Sequence, residues 1–200
     1  MKAYVCREFG PIESHQVEEI EDPIVGPGQV EVEVKAAGIA FPDVLIVQGL
    51  YQFKPPFPFV PGGEISGIVT KVGEGVIKWK KGDRVIGTTG FAGLAEKAVY
   101  FEHQLMPLPD SMDFKTGAIF PLNYGTTYHA LKQRANIQSG ESLLVLGAAG
   151  GIGITAIHLG KAMGAKVIAA VSTQEKLELC LKEGADKAIL YPSGDMDRDA

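Results

Sequence analysis

Polar and apolar residues alternate strictly along Val30-Glu31-Val32-Glu33-Val34-Lys35, which predicts a strand with one face in a core and the other in water. Ile65 to Val72 predicts a second strand, stopped by the turn Gly73-Glu74-Gly75. Asp83 to Gly87, after Gly82, and Leu94 to Tyr100 predict two more. Short strands at this spacing form a barrel or sandwich, because a small sheet must hide one apolar face and protect its edges.

The pattern changes between Ser111 and Asn123. Thr126 to Ala135 suits a helix, and Ser142-Leu143-Leu144-Val145-Leu146 is a continuous apolar run of the kind buried on both faces of a parallel sheet. Gly153 to Met163 then predicts a helix closed by Gly164, Lys166 to Val171 a strand, Thr173 to Glu183 a helix closed by Gly184, and Lys187 to Tyr191 a strand. This β-α-β-α-β order is half of a doubly wound α/β sheet, and it divides the chain into residues 1–122 and 123–200. Beyond Tyr191 the tail Pro192 to Ala200 is polar. Three strands leave apolar faces bare, so the chain reads as truncated.

Apolar residues make up 46% of the chain and charged ones 22%, as in folded globular proteins. The net charge is −5 and the longest basic run is Lys78-Trp79-Lys80-Lys81, so the footprint for a nucleic-acid partner is missing. Cys6 and Cys180 stand far apart, which excludes a disulfide framework and a multi-cysteine zinc lobe. The N-terminus lacks a secretory apolar core, and no run reaches the roughly 18 apolar residues of a membrane span. These features predict a cytoplasmic protein without a membrane partner. His15, His103, His129 and His158 show no ligand spacing and read as surface or packing residues.

The strongest chemical signal is Gly147-Ala148-Ala149-Gly150-Gly151-Ile152-Gly153, lying between a predicted strand and a predicted helix. A dinucleotide pyrophosphate must approach main-chain N–H groups at a helix N-terminus, which only very small side chains permit. The residues Ala148 through Gly153 are therefore candidate cofactor contacts; the plainer alternative is a tight turn that needs small residues for packing. An acid about 20 residues further on would hold the ribose of NAD. That stretch instead reads Val171-Ser172-Thr173-Gln174-Glu175-Lys176, where the Ser172 hydroxyl and the Lys176 cation suit the 2′-phosphate of NADP(H). The alternative is an N-cap serine and a solvated lysine.

The chain resembles the zinc-independent quinone oxidoreductase branch of the medium-chain dehydrogenase/reductase superfamily, the zeta-crystallin-like group. The residues that carry the likeness run in order: Ala36 to Asp43, Gly49-Leu50-Tyr51, Pro61-Gly62-Gly63-Glu64, Lys81 to Val85, Gly125 to Leu131, Ser139-Gly140-Glu141 and the glycine-rich run. The resemblance implies a GroES-like barrel followed by a partial Rossmann domain, with the active site in the cleft between them and a full length beyond 200 residues. It implies Tyr51 near the substrate and Thr126 beside the nicotinamide as catalytic candidates, with Phe41 and Tyr191 as further cofactor contacts. Tyr51 read on its own is equally a core or rim aromatic. Zinc-dependent members bind metal with Cys and His where this chain has Ala40 and Gly63, neither of which can ligate zinc, so no metal is expected. The implied reaction is hydride transfer from NADPH to a small-molecule quinone or conjugated enone, in a protein that is a homodimer at full length. An enone reductase and a crystallin-like NADPH binder without turnover stay open as alternatives.

Overall fold

A computed structural model describes residues 1–191, so the polar tail read from Pro192 onward lies outside the described residues. The chain divides into two compact units, Met1–Pro121 and the residues from Leu122 on.

In the first unit β1 (Lys2–Val5) and β2 (Gln16–Glu19) form an antiparallel hairpin. A five-stranded antiparallel sheet follows, made of β3 (Gln29–Gly38), β4 (Glu64–Val72), β5 (Arg84–Thr88), β6 (Lys97–Phe101) and β7 (Leu105–Pro107) in the order β6-β3-β4-β5-β7. The barrel expectation needs one refinement: the sheet is continued by isolated bridges, Ala3 to Ala95 and Cys6 to Phe59, rather than by an unbroken ladder. Leu94 to Glu96 are accordingly not ladder residues, and the strand expected from Leu94 starts at Lys97.

Val30, Val32, Ile65, Val69, Val85 and Tyr100 pack together as the core of this sheet. β3 departs from its alternating pattern at one place. Glu31, expected on the wet face, is 1% exposed, because β4 brings the Thr70 hydroxyl (2.7 Å) and the Lys71 ammonium (3.0 Å) onto its carboxylate. A buried charge is tolerated where it is paired and hydrogen-bonded. Helix α1 (Phe41–Val47) begins with Asp43 accepting from the Ala40 N–H and from the Gly62 N–H, which ties the helix start to the loop before β4. Helix α2 (Phe114–Phe120) starts at Asp113, whose side chain accepts from the Thr116 N–H.

After α2 come a π-helical turn (Pro121–Gly125), one α-helical turn, α3 (Thr126–Tyr128), and a second π-helical turn (His129–Arg134). The helix expected from Thr126 to Ala135 is therefore wider than an ordinary α-helix for most of its length.

The second unit continues with β8 (Ser142–Leu146), α4 (Gly151–Ala162), β9 (Lys166–Val171), α5 (Gln174–Lys182) and β10 (Lys187–Leu190). The strands are parallel in the order β10-β9-β8. Consecutive right-handed crossovers place both helices on one face. On that face Val145, Val167, Ala169 and Val171 meet Ala156, Ile157 and Cys180. α4 starts two residues earlier than its apolar pattern suggested, because Gly150 already takes the extended N-cap conformation. Gly164 and Gly184 follow α4 and α5 with positive φ, +83° and +103°, the left-handed geometry that ends a helix at little cost only with glycine.

One expectation and one alternative reading fail here. β8 is not buried on both faces: Leu144 is 54% exposed and Leu146 72%, because α4 and α5 cover only the opposite side. The cap of α5 is Thr173 rather than Ser172, and its hydroxyl accepts from the Lys176 N–H.

Asp186 fastens the edge of this sheet. It accepts from Lys161 of α4 and from the Val167 N–H of β9, which together hold its pKa below the ordinary aspartate range. A folded-state pKa lower than the unfolded one stabilises the fold above the unfolded value, and that contribution is lost as pH falls through the folded value. Asp186→Asn is therefore expected to lower the urea midpoint at about pH 7. The gap from the parent should close as the pH approaches about 3; a gap independent of pH would deny the ion pair a role.

Candidate functional site

The turn between β8 and α4 is built by its smallest residues in two different ways. A Cβ at Gly147 would meet nothing within 4 Å, and one at Gly150 only the Gly147 carbonyl at 3.5 Å. Both glycines face open space. A Cβ at Gly151 would come within 2.6 Å of the Asn123 amide oxygen, and one at Gly153 within 2.5 Å of the Ala148 carbonyl. Those two glycines are small because the protein packs against them.

Ala148 and Gly153, two of the expected cofactor contacts, stand at the buried base of the turn. Ala148 is wholly buried and its N–H donates to the Ala170 carbonyl, while Gly153 is buried against the Ala148 backbone. Gly150, Gly151 and Ile152 are exposed, and no side chain caps the N-terminus of α4, with Ala149 half-buried beside them. Free N–H groups at a helix start carry partial positive charge and bind anions.

Further along the sheet, Ser172 is half-buried just after β9, and Lys176 is exposed in the first turn of α5. Neither the Ser172 hydroxyl nor the Lys176 ammonium is engaged by another described residue. Tyr191 follows β10, half-buried, its N–H donating to the Val171 carbonyl, so all three residues stand at the C-terminal ends of β9 and β10. In parallel α/β sheets that edge is where ligands bind.

Thr126 is exposed at the head of α3. Its neighbour Thr127 is buried and was not singled out by sequence reasoning. The Thr127 and Thr155 hydroxyls share a hydrogen bond of 2.7 Å, and Thr155 Oγ1 also lies 3.0 Å from the Ile152 carbonyl. Asn123 adds its carbonyl to the same group, 3.2 Å from Thr155 Oγ1. The segment from Asn123 to Thr127 is thus fastened to the first turns of α4. Nothing in the one-dimensional spacing marks these partners, which lie 28 and 32 residues apart.

In the first unit Phe41 opens α1 and is 73% exposed. Tyr51 is half-buried against the cluster of Cys6, Ile46, Val47 and Phe59. Burial pushes the Cys6 thiol up to about 11, so it is no nucleophile at neutral pH. A cavity of about 650 Å³ lies among β1, β3 and α1, lined by Ala3, Val34, Ala36, Val44, Val47 and Leu94, and Phe41 and Tyr51 are not part of its wall. Ala40 and Gly63 offer no ligand atoms, and among the described residues no group of three or more His, Cys, Asp and Glu is placed to hold a metal ion. No helix among the described residues is long and apolar enough to cross a membrane.

Residues 26–110 match the family model of the alcohol dehydrogenase GroES-like domain, and residues 151–200 match that of the zinc-binding dehydrogenases. The chain is 40% identical to quinone oxidoreductase-like protein 2 of Mus musculus, covering 100% of this chain and 56% of that protein. It is 37% identical to quinone oxidoreductase of Homo sapiens, covering 94% and 58%. Among solved structures, Escherichia coli quinone oxidoreductase complexed with NADPH superposes with a TM-score of 0.91 at 34% identity, covering 98% of this chain and 60% of that one. The chain spans less than two thirds of the length of these relatives.

Proposed function

Since the chain belongs to the quinone oxidoreductase branch of the medium-chain dehydrogenase/reductase superfamily, we propose that it is part of a zinc-independent enzyme that reduces quinones with NADPH. The observation that carries this reading is the turn before α4, where uncapped N–H groups stand behind two glycines that face open space. The exposed amides of Gly151 and Ile152 would hold a pyrophosphate beside Gly150, whose own N–H already donates to the Gly147 carbonyl, and Ala149 is small enough to let it approach. Ser172, Lys176 and Tyr191 would hold the 2′-phosphate, which fits the unengaged Ser172 hydroxyl and Lys176 ammonium. The Escherichia coli relative carries NADPH, which supports the same choice of cofactor.

Bound NADPH supplies a hydride, and the protein's part is orientation and hydrogen-bond donation to the oxygen that becomes negative. In this reading Thr126 would help hold the nicotinamide half of the cofactor, and Phe41 would be a further, apolar contact for it. Tyr51 Oη donates to the acceptor oxygen, its ring held by the cluster around Phe59. The reading also makes the whole protein a cytoplasmic homodimer; two free, buried cysteines support a reducing compartment.

Calorimetric titration of the full-length protein with NADPH and NADH, alongside Lys176→Ala, tests the assignment. Losing one charge-assisted contact to a phosphate should weaken NADPH about tenfold and leave NADH unchanged. Equal affinity of the parent for both cofactors would remove the 2′-phosphate site. Steady NADPH consumption with a quinone, compared with an enone, then identifies the acceptor; binding without consumption would make the protein a cofactor binder only.

A further inference from the structure

Three side chains that the proposed reaction does not use form one hydrogen-bonded chain in the second unit. Tyr124 Oη lies 2.8 Å from His158 Nδ1, and His158 Nε2 lies 2.8 Å from the Glu183 carboxylate. The Tyr124 and His158 rings are nearly parallel, 22° apart with centroids at 6.2 Å, and all three residues are half-buried. The carboxylate only accepts, so His158 Nε2 carries a proton; in the neutral ring Nδ1 is then an acceptor, and Tyr124 donates to it.

The chain spans three elements. Tyr124 sits in the π-helical turn Pro121–Gly125, His158 two turns into α4, and Glu183 at the end of α5. Tyr124 is flanked by Asn123, whose amide oxygen abuts Gly151, and by the Gly125-Thr126 step. Thr155 clamps the same segment through Thr127 and the Asn123 carbonyl. π-helical turns are rare and frequently occur at functional sites. Here side-chain anchors from α4 tie down the segment that carries Thr126 beside the glycine turn.

We propose that His158 is a positioning residue: through Tyr124 it holds the Asn123–Thr127 segment against the head of α4, and so sets the affinity for the nicotinamide half of the cofactor without touching it. This rests on the NADPH reading above. It distinguishes the nicotinamide half from the adenosine half, which Ser172, Lys176 and Tyr191 would hold from β9, α5 and β10.

The test uses the full-length protein and two probes, NADPH and 2′,5′-ADP, the second lacking the nicotinamide. Tyr124→Phe removes one hydroxyl and His158→Leu removes both bridges at similar volume. Each loses a partly buried hydrogen bond, so NADPH affinity should fall about five- to tenfold while 2′,5′-ADP affinity stays constant. His158→Gln, whose amide can both donate and accept, should restore most of the loss. Equal weakening of both probes, or unchanged NADPH affinity in Tyr124→Phe, would overturn the proposal, as would a His158→Gln no better than His158→Leu. If the parent binds neither probe, the NADPH reading itself fails and this inference with it. Should His158→Leu not fold, the Tyr124→Phe and His158→Gln pair decides the question alone.

Discussion

Gly150→Asp is expected to abolish dinucleotide binding while leaving the fold as stable as before or slightly more so. Position 150 is the N-cap of α4, with φ −79° and ψ 168°, a conformation any residue adopts. The new Cβ would touch only the Gly147 carbonyl, at 3.5 Å. Aspartate is a favoured N-cap, since its carboxylate accepts from the N–H groups of the first turn, and replacing glycine there is worth a few tenths of a kcal/mol. Those N–H groups are the ones a pyrophosphate needs, and the added charge repels it. One unit charge at about 4 Å and an intermediate dielectric contributes up to about 4 kcal/mol, so NADPH affinity should fall by roughly a hundredfold or more. Calorimetry and a thermal melt of the full-length variant read the two effects separately. Gly150→Asn, a neutral cap of the same size, should lose less affinity and so separate charge from bulk. Retained NADPH affinity in Gly150→Asp would place the pyrophosphate elsewhere.

The strands that could be read from sequence are those whose environment is one-sided or uniformly apolar. Lys166–Val171 was bounded to the residue, because its inner positions, Val167, Ala169 and Val171, alternate with residues that also avoid water. The hairpin of β1 and β2 was not assigned. Half of its residues are charged or amide side chains lying on an exposed ribbon, and it draws its place from single bridges to the rest of the unit. Helix α2 was missed for a different reason. Gly117 and Pro121 are poor helix residues by propensity, but Gly117 is needed because a Cβ there would meet Leu108 at 2.6 Å and Ser66 at 3.3 Å. Pro121 then keeps helical torsion angles, φ −64° and ψ −47°, at the end of the helix. Tertiary packing overrode local preference at both positions. Glu31 is the same lesson in a strand: alternation assigns it to water, and only a lysine and a threonine 40 and 39 residues away explain its burial.

The candidate site divides along the same line. The glycine-rich turn is local, so its position between strand and helix was legible, as were Ser172 and Lys176. What each glycine does was not. Open space at Gly147 and Gly150 and backbone contact at Gly153 look alike in a one-dimensional pattern. His158 shows the limit most plainly, since it was set aside as a surface or packing residue for want of a neighbour at ligand spacing. Its partners, Tyr124 and Glu183, are 34 and 25 residues away and meet it only once α4 and α5 lie on the same face of the sheet.

The counterpart of Gly150 is Gly153, three residues on and opposite in consequence. A Cβ at position 153 would lie 2.5 Å from the Ala148 carbonyl oxygen and 2.6 Å from the Ala148 carbonyl carbon and Cα. These are backbone atoms at the base of the turn, so no rotamer change relieves the contact. Ala148 is itself fixed, fully buried in the core with its N–H bonded to Ala170 in β9. Gly153→Ala must therefore move α4 off the sheet, and that helix supplies Ala156 and Ile157 to the same core. Overpacking of a rigid site costs about 1–3 kcal/mol and occasionally more, and here the upper end is expected. Urea denaturation of the full-length variant should show a lower midpoint with the slope preserved. Saturating NADPH should stabilise the parent but recover little in Gly153→Ala, because the turn that would bind it has moved with the helix. A Gly153→Ala protein with the parent's midpoint would mean that α4 can shift freely on β8 and β9, and would return Gly153 to the set of residues spared for the ligand rather than for the fold.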